Sequence, residues 1–501
     1  MVPNPLRERY RIVFGYVGNL FIFFPLLLLI PAVFALVFPH EVSYAIPFLL
    51  SGAIVLAFGL MLRLTMKVKP GTPVMPQEAP LIAVISWIIS IVFSALPFIF
   101  GGLLDFSRGI FEATSGWTTT GLTMFEEETV PNLFLLWRSL MQFFGGAGFA
   151  VIMMSAILGP SGFNLYHAEG RMDNLVPNIR RSVNTILIIY LSYTFAGFVL
   201  YLIAGMPWFD ALNHALTALA TGGFSTRNAS IGAFDSITIE SITMVLMILG
   251  ATGFGVHFAL WKGNFGALKK NGEWKTMGIL LVIAIPFLVF GALGTLYAGF
   301  SENLRYTAFH VISALTGTGF STTNLVPWPH VGLYVLAVLM LFGGMMDSTS
   351  GGLKQYRIYV IFKFVVNEIK KMLLPRSAIT RVEIWKAETR SYLDDLMIKE
   401  ILLILVLYLT TLVVGVAILT GYGYSLSFSL FEYASALNTV GLSVGITGPG
   451  APLGVTWAQI FGMFLGRLEF VVIIFAFSRI LRDARTSVTE KRRIDRHNKQ
   501  I

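Results

Sequence analysis

Four short stretches of the chain share one pattern of small and hydroxyl-bearing residues: FEATSGWTTTGLT (111–123), NHALTALATGGFS (213–225), FHVISALTGTGFS (309–321) and FEYASALNTVGLS (431–443). They align without gaps. Gly121, Gly223, Gly319 and Gly441 fall in one column at intervals of 102, 96 and 122 residues, and a hydroxyl precedes each by six positions (Ser115, Thr217, Ser313 and Ser435). Glycine takes up backbone conformations that other residues resist, so it can turn main-chain carbonyls toward an axis. Rings of such carbonyls replace the hydration shell of a cation. Threonine and serine hydroxyls can add oxygen ligands or brace the strand. A helix leading into each turn would aim its partially negative C-terminal end at the same axis. A single glycine of this kind is ordinarily a helix stop. Four aligned copies in one chain predict four pseudo-equivalent turns gathered around a cation path.

The triplets ending on the glycine column are Thr119-Thr120-Gly121, Thr221-Gly222-Gly223, Gly317-Thr318-Gly319 and Thr439-Val440-Gly441. The fourth copy continues as Leu442-Ser443 and best matches the potassium-channel filter string TVGYG. The second glycine of that string is missing in every copy. Fewer strong ion sites and a less robust selectivity are therefore expected.

The elements that would carry these turns follow from composition. The 501 residues are 55% hydrophobic and 13% charged, with a net charge of +9, 48 glycines and no cysteine. Soluble domains carry about twice that charged fraction. An ordinary cytosolic enzyme, a disordered chain, a disulfide-built domain and a nucleic-acid binder are excluded, as are thiol catalysis and iron–sulfur chemistry. About 20 apolar residues span a bilayer. Such runs occur near 12–37, 44–66, 81–102, 133–158, 183–205, 237–261, 277–299, 331–366, 398–420 and 455–481, which predicts ten crossings. With the N-terminus inside, 31 of the 36 Lys and Arg residues fall in cytoplasmic segments. That lopsidedness places both termini in the cytoplasm. The four repeats fall between crossings, as segments that dip into the membrane and return; exposed backbone is tolerated there only if protein or water surrounds it. The expected fold is an all-α polytopic membrane protein of ten transmembrane helices. It comprises an N-terminal helix pair (1–70) and four helix–pore loop–helix units at 71–182, 183–276, 277–378 and 379–501, the last with a basic tail.

Two further features lie within crossings. The run Gly343-Gly344-Met345-Met346-Asp347-Ser348-Thr349-Ser350-Gly351-Gly352 begins about ten residues into its crossing. Its glycines disfavour helix by roughly 1 kcal/mol each, and its Ser and Thr compete for the backbone. It reads either as a flexible linker or as a helix broken at mid-membrane beneath the third turn. Arg467 sits about ten residues into the last crossing. A buried charge there requires a partner, either a structural ion pair or a group in the ion path.

These residues resemble the Trk/Ktr/HKT superfamily of potassium transporters, most of all its TrkH type. SGWTTTGLT (115–123), LLWRSLMQFFGGAGFAVI (135–152), FGGMMDSTSGGLKQYR (342–357) and MFLGRLEF (463–470) carry the resemblance, which extends over essentially the whole chain. It implies potassium uptake across the plasma (inner) membrane through a filter-selective pore driven by the electrochemical gradient. Glycine at 121, 223, 319 and 441 implies potassium preference, the ion being held by backbone carbonyls of the four triplets ending on them. It implies that Gly344, Asp347, Ser348, Thr349, Gly351 and Gly352 belong to a gating loop, with Arg467 against it, meeting Asp347 or loop carbonyls as a movable positive plug. It also implies a homodimer seated on a cytosolic ring of nucleotide-binding regulatory subunits, with any nucleotide on that partner and no cofactor in this chain.

Other constellations are weaker. Glu112, His214, His310 and Glu432 share one column, nine residues before each glycine, and fit polar packing better than a metal site. Gly159-Pro160-Ser161-Gly162 superficially matches an intramembrane serine-protease string without a placed histidine. Glu126-Glu127-Glu128 could concentrate cations at the entrance. Arg138 could pair with outer acids. A coupled potassium/proton or potassium/sodium symporter is the alternative to a channel-like pore, and Asp347 and Glu469 are its candidate inner carboxylates.

Overall fold

The structure, a computed structural model, describes residues 5–69, 72, 74–148, 179–294, 296–297, 299–375, 381–386, 389–468 and 470–498. Helices dominate. Helices α1 (Pro5–Phe23) and α2 (Pro25–Phe34) form one span, with Pro25 at the first position of α2, where a missing N–H is harmless. Helix α3 (Ala45–Met66) returns beside them and ends at Lys67 in the left-handed conformation (φ 47°). Next come α4 (Ala79–Phe100), α5 (Phe106–Trp117) and α6 (Asn132–Ala147), then α7 (Ile179–Ile203), α8 (Trp208–Leu219), α9 (Ile237–Ala251) and α10 (Phe254–Trp261). A short α11 (Gly266–Lys270) leads to α12 (Gly272–Pro286), α13 (Phe300–Thr316), α14 (His330–Phe342) and α15 (Gln355–Leu373). The chain closes with α16 (Asp395–Gly421), α17 (Leu426–Leu437), α18 (Leu453–Leu468) and α19 (Phe470–Asn498).

Among the described residues, six helical spans are long and apolar enough to cross a bilayer, and two helix pairs pass the same test although each is bent by 104°. The outward faces of these helices carry exposed Leu26, Ile203, Val282 and Phe290, as a lipid-facing surface does. The protein is a multi-pass membrane protein. Three of the expected crossings are not straight helices, and the one over 331–366 is interrupted between α14 and α15. The one over 237–261 breaks at Thr252-Gly253 between α9 and α10, and the one over 455–481 turns sharply between α18 and α19. The one expected over 133–158 is helical to Ala147 and capped by Gly148 (φ 81°); its remainder lies outside the described residues, as do Ser161 and Glu469.

Among the described residues, one element departs from an all-α fold. Strands β1 (Glu383–Lys386) and β2 (Thr389–Tyr392) form an antiparallel hairpin within the basic stretch read as a cytoplasmic loop. Alternation drives it: Ile384 is buried against Val360 of α15 and Ile401 of α16, while Glu383 points to solvent beside Arg390.

Helices α5, α8 and α17 have 12 residues each. At 1.5 Å per residue they span about 18 Å, too short for the hydrocarbon core. Their packing is cyclic. Helix α6 packs on α8, α9 on α13, α14 on α17, and α18 on α5, so each repeat leans on the next and the fourth on the first. The N-terminal pair braces the first repeat from outside. Phe24 lies 5.9 Å from Trp117, and Phe48 lies 5.0 Å from Phe134. Glu41, buried in the turn between α2 and α3, accepts the Asn132 and Leu133 N–H groups at 2.9 and 3.0 Å and the Asn132 side-chain amide at 2.9 Å. It puts a carboxylate at the open N-terminus of α6. Glu41→Ala is expected to lower the stability of the purified protein by about 1–3 kcal/mol, seen as a lower thermal midpoint in detergent, and Glu41→Gln by less.

Candidate functional site: a ring of four glycine turns

The four short helices end alike. The residue two before the column glycine is left-handed in every copy: Thr119 (φ 56°), Thr221 (φ 50°), Gly317 (φ 70°) and Thr439 (φ 52°). Its N–H bonds the carbonyl three residues back, at 3.1 to 3.2 Å, from Gly116, Ala218, Ala314 and Ala436. The next N–H bonds the carbonyl five back, from Ser115, Thr217, Ser313 and Ser435, at 2.9 to 3.0 Å. This is a Schellman closure. Threonine in that position is strained by about 1–3 kcal/mol, and three of the four copies carry it.

The column glycines are left-handed as well, at φ 96°, 75°, 87° and 102° for Gly121, Gly223, Gly319 and Gly441. A Cβ built on Gly121 would stand 2.3 Å from the Gly222 carbonyl oxygen; on Gly223, 2.2 Å from that of Thr318; on Gly319, 1.9 Å from that of Val440; on Gly441, 2.2 Å from that of Thr120. Each turn therefore abuts its successor and the fourth returns to the first, which closes a ring. The six-back hydroxyl braces it in three copies: Ser115, Ser313 and Ser435 Oγ accept the N–H of Gly121, Gly319 and Gly441 at 3.0, 3.1 and 3.0 Å. Thr217 instead donates to the Asn213 carbonyl at 3.0 Å. Gln142 serves the second copy, donating to the Gly222 carbonyl at 2.6 Å and accepting from Phe224 N–H at 3.0 Å. No motif singles out Gln142; a glutamine within an apolar helix is the one sign of its role.

On one side the ring opens into a cavity of about 500 Å³ lined by all four column glycines and by Glu127, Arg227 and Thr447. The strands leaving the ring are stapled back to their helices by the Glu/His column. Thr123 donates to Glu112 at 3.0 Å, Ser225 bonds His214 Nε2 at 3.0 Å, and Ser443 donates to Glu432 at 2.7 Å. His310 of the third copy shares with His214 the bond from Nδ1 to the carbonyl four residues back, to Tyr306 at 2.8 Å and to Asp210 at 2.7 Å. Arg138, fully buried, ties the first two copies together. It reaches Glu112 at 2.7 Å, the Thr123 hydroxyl at 2.9 Å and the Ser225 carbonyl at 3.1 Å, and lies 4.1 Å from the Phe224 ring centroid. Burial pushes the Glu127 carboxyl above its ordinary range, against the pull of the Arg138 guanidinium 3.6 Å away. Among the described residues no group of three or more His, Asp or Glu is placed to hold a metal ion.

On the other side, the glycine-rich run 343–354 lies directly under the ring. A Cβ on Gly351 would stand 2.0 Å from Thr439 Oγ1, and one on Gly317 would stand 2.6 Å from Ser350 Oγ. Thr349 Oγ1 bonds Thr221 Oγ1 at 3.1 Å and donates to the Gly250 carbonyl at 2.8 Å. Arg467 completes the contact. Its guanidinium donates to the Thr349 carbonyl at 2.6 Å, the Gly145 carbonyl at 2.7 Å and Thr119 Oγ1 at 3.2 Å. The left-handed position of all four copies thus meets the run or the arginine on it. A loop carbonyl, from Thr349, is among the groups Arg467 binds. Asp347 is left-handed (φ 57°) and buried, and its carbonyl accepts the Phe254 N–H at 3.2 Å. Gly344 donates to Ser350 Oγ at 3.0 Å, Ser348 donates to the Met345 carbonyl at 2.6 Å, and Gly352 packs on Gly343.

The break at Thr252-Gly253, which the sequence reading treated as continuous helix, is where the run docks. Met345 N–H bonds the Ala251 carbonyl at 2.9 Å and Thr349 N–H that of Gly250 at 3.2 Å. These carbonyls at the end of α9 have no partners within a broken helix. The string Gly250-Ala251-Thr252-Gly253-Phe254-Gly255 carried the signal. Ser115→Ala, Ser313→Ala and Ser435→Ala are each expected to lower stability by about 1–3 kcal/mol. Removing only the γ-hydroxyl at the second copy (Thr217→Val) should cost less, because that hydroxyl braces no glycine. Thermal unfolding of the four variants side by side checks the difference.

A family model described as TrkH, cation transport protein, matches residues 47–268 and 282–487. The Trk system potassium uptake protein TrkH of Salmonella typhimurium is 29% identical over 486 residues, covering 94% of this chain and 98% of its own length. An uncharacterised cation transporter of Methanocaldococcus jannaschii is 28% identical over 444 residues, covering 86% of this chain and 88% of its own. The crystal structure of the potassium transporter TrkH from Vibrio parahaemolyticus superposes with a TM-score of 0.79 at 27% identity, over 93% of this chain and 98% of that one. The chain belongs to the TrkH family of cation transport proteins.

Proposed function

We propose that the chain is a potassium uptake pathway in the plasma membrane, with one channel-like pore along the axis of the glycine ring. The single observation that supports this best is the closed circle of four left-handed turns, open to a cavity on one side and stoppered by the 343–354 run on the other. Backbone carbonyls of the four triplets replace the water around a dehydrating potassium ion. Relatives named as potassium uptake proteins point to the same cargo. The cavity is the outer entrance and the basic segments face the cytoplasm, so the membrane potential drives potassium inward. The four units and the N-terminal pair supply ten crossings, two of them sharply bent and a third interrupted by the run 343–354.

In this reading the run 343–354 is the gate. Arg467, bound to the Thr349 carbonyl and Thr119 Oγ1, adds a positive charge directly below the ring that repels cations until the loop moves. The protein works as a homodimer on a cytosolic nucleotide-binding ring, and the nucleotide acts through that partner.

Two measurements on reconstituted vesicles test the proposal. Under imposed potassium, sodium and proton gradients, current should reverse at the potassium equilibrium potential whatever the other two gradients; a reversal that follows the proton or sodium gradient identifies a symporter and removes the channel reading. Arg467→Ala should raise closed-state leak about tenfold, and Gly121→Ser should admit sodium. Unchanged leak in the first variant removes the plug, and unchanged potassium preference in the second removes the four-glycine argument.

A further inference from the structure

The 343–354 run is held by more than the broken end of α9. The Met346 N–H donates to Glu273 Oε1 at 2.7 Å. Glu273 is buried, on the first turn of α12, the helix that opens the third unit. Met346 is the neighbour of Met345, whose own N–H docks on the end of α9, and Glu273 takes no part in the ring. A hydrogen bond to a carboxylate is roughly twice as strong as a neutral one, so this contact outweighs any one of the backbone bonds beside it.

The start of α12 is itself gripped from the cytoplasmic side. Asn271 caps it, accepting the Glu273 and Trp274 N–H groups at 2.8 and 3.2 Å. A Cβ on Gly272 would stand 2.3 Å from the Tyr359 ring, so that ring of α15 packs directly on the α12 backbone. The Lys270 ammonium lies 5.2 Å from the ring centroid of Trp385, on β1 of the hairpin. Hairpin, Lys270, Asn271, Glu273 and Met346 therefore form one continuous line of contacts from the cytoplasmic surface to the run.

We infer that Glu273 is the latch that holds the 343–354 run beneath the ring, and that the 383–392 hairpin is the handle that sets its position. Glu273 is a positioning residue: it touches no ion and acts only through the run. A shift of α12's first turn by an ångström or two breaks the bond to Met346, and the hairpin is the cytoplasmic element placed to cause it. The inference rests on the reading of the run as a gate, and the experiment separates the two.

The chain has no cysteine, so Met346→Cys introduces a single thiol at a buried position whose N–H still reaches the latch. Its labelling by a small thiol reagent in membranes reads the run's release directly, and cation leak in the same vesicles reads the gate. Adding Glu273→Ala should speed labelling roughly tenfold or more, while Glu273→Gln, which keeps an acceptor oxygen, should stay within about threefold of the parent. Adding Trp385→Ala should speed labelling about threefold. Labelling unchanged by Glu273→Ala overturns the latch, and labelling unchanged by Trp385→Ala overturns the handle. Faster labelling without added leak upholds the latch and removes the gate.

Discussion

The structure depends on four backbones meeting with nothing between them. At each contact of the ring the α-carbon of one glycine faces the carbonyl of the next copy, at a separation that admits a hydrogen atom and excludes a methyl group. Two demands coincide at one residue, a left-handed φ and a neighbour too close for any side chain. Only glycine meets both. The same economy recurs one shell out. A Cβ on Gly145, Gly250 or Gly466 would lie 2.1, 2.4 or 1.7 Å from the final carbonyl of its own short helix, from Trp117, Leu219 and Leu437. The second helix of each of these copies leans directly on the helix end that feeds the ring.

Breaks in the second helices are complementary rather than independent faults. Helix α9 ends with unsatisfied carbonyls, and the run after α14 brings unsatisfied N–H groups; each supplies what the other lacks. Arg467, near the end of α18, does the same for the carbonyls of Gly145 and Thr349. Irregular backbone survives within a membrane protein because it is paired with irregular backbone from another copy.

Much of this was legible in the residues. The repeat, its glycine column, the hydroxyl column and the broken run are periodic or compositional features, and each maps onto a distinct structural role. The Glu/His column was legible as polar packing, and Glu112, His214 and Glu432 do hold the exit strands. What escaped was set by contacts across copies. The break at Thr252-Gly253 looks like helix to any hydropathy window, because the residues on both sides are apolar. Gln142 substitutes for a hydroxyl that the second copy turns away, and no pattern within one segment announces that exchange. The hairpin at 383–392 was hidden by its charges, since strand alternation there involves a single buried isoleucine.

The four copies are alike at the ring and unlike beneath it. Only the third contributes the run that reaches the left-handed position of its neighbours. On the proposed reading of the run as a gate, a stopper fastened to one quadrant would leave by swinging aside, so the passage would widen off-centre, as a door on its jamb does, and not as an iris. The other three quadrants could then stay packed throughout, and the ring would keep its shape while the way below it cleared.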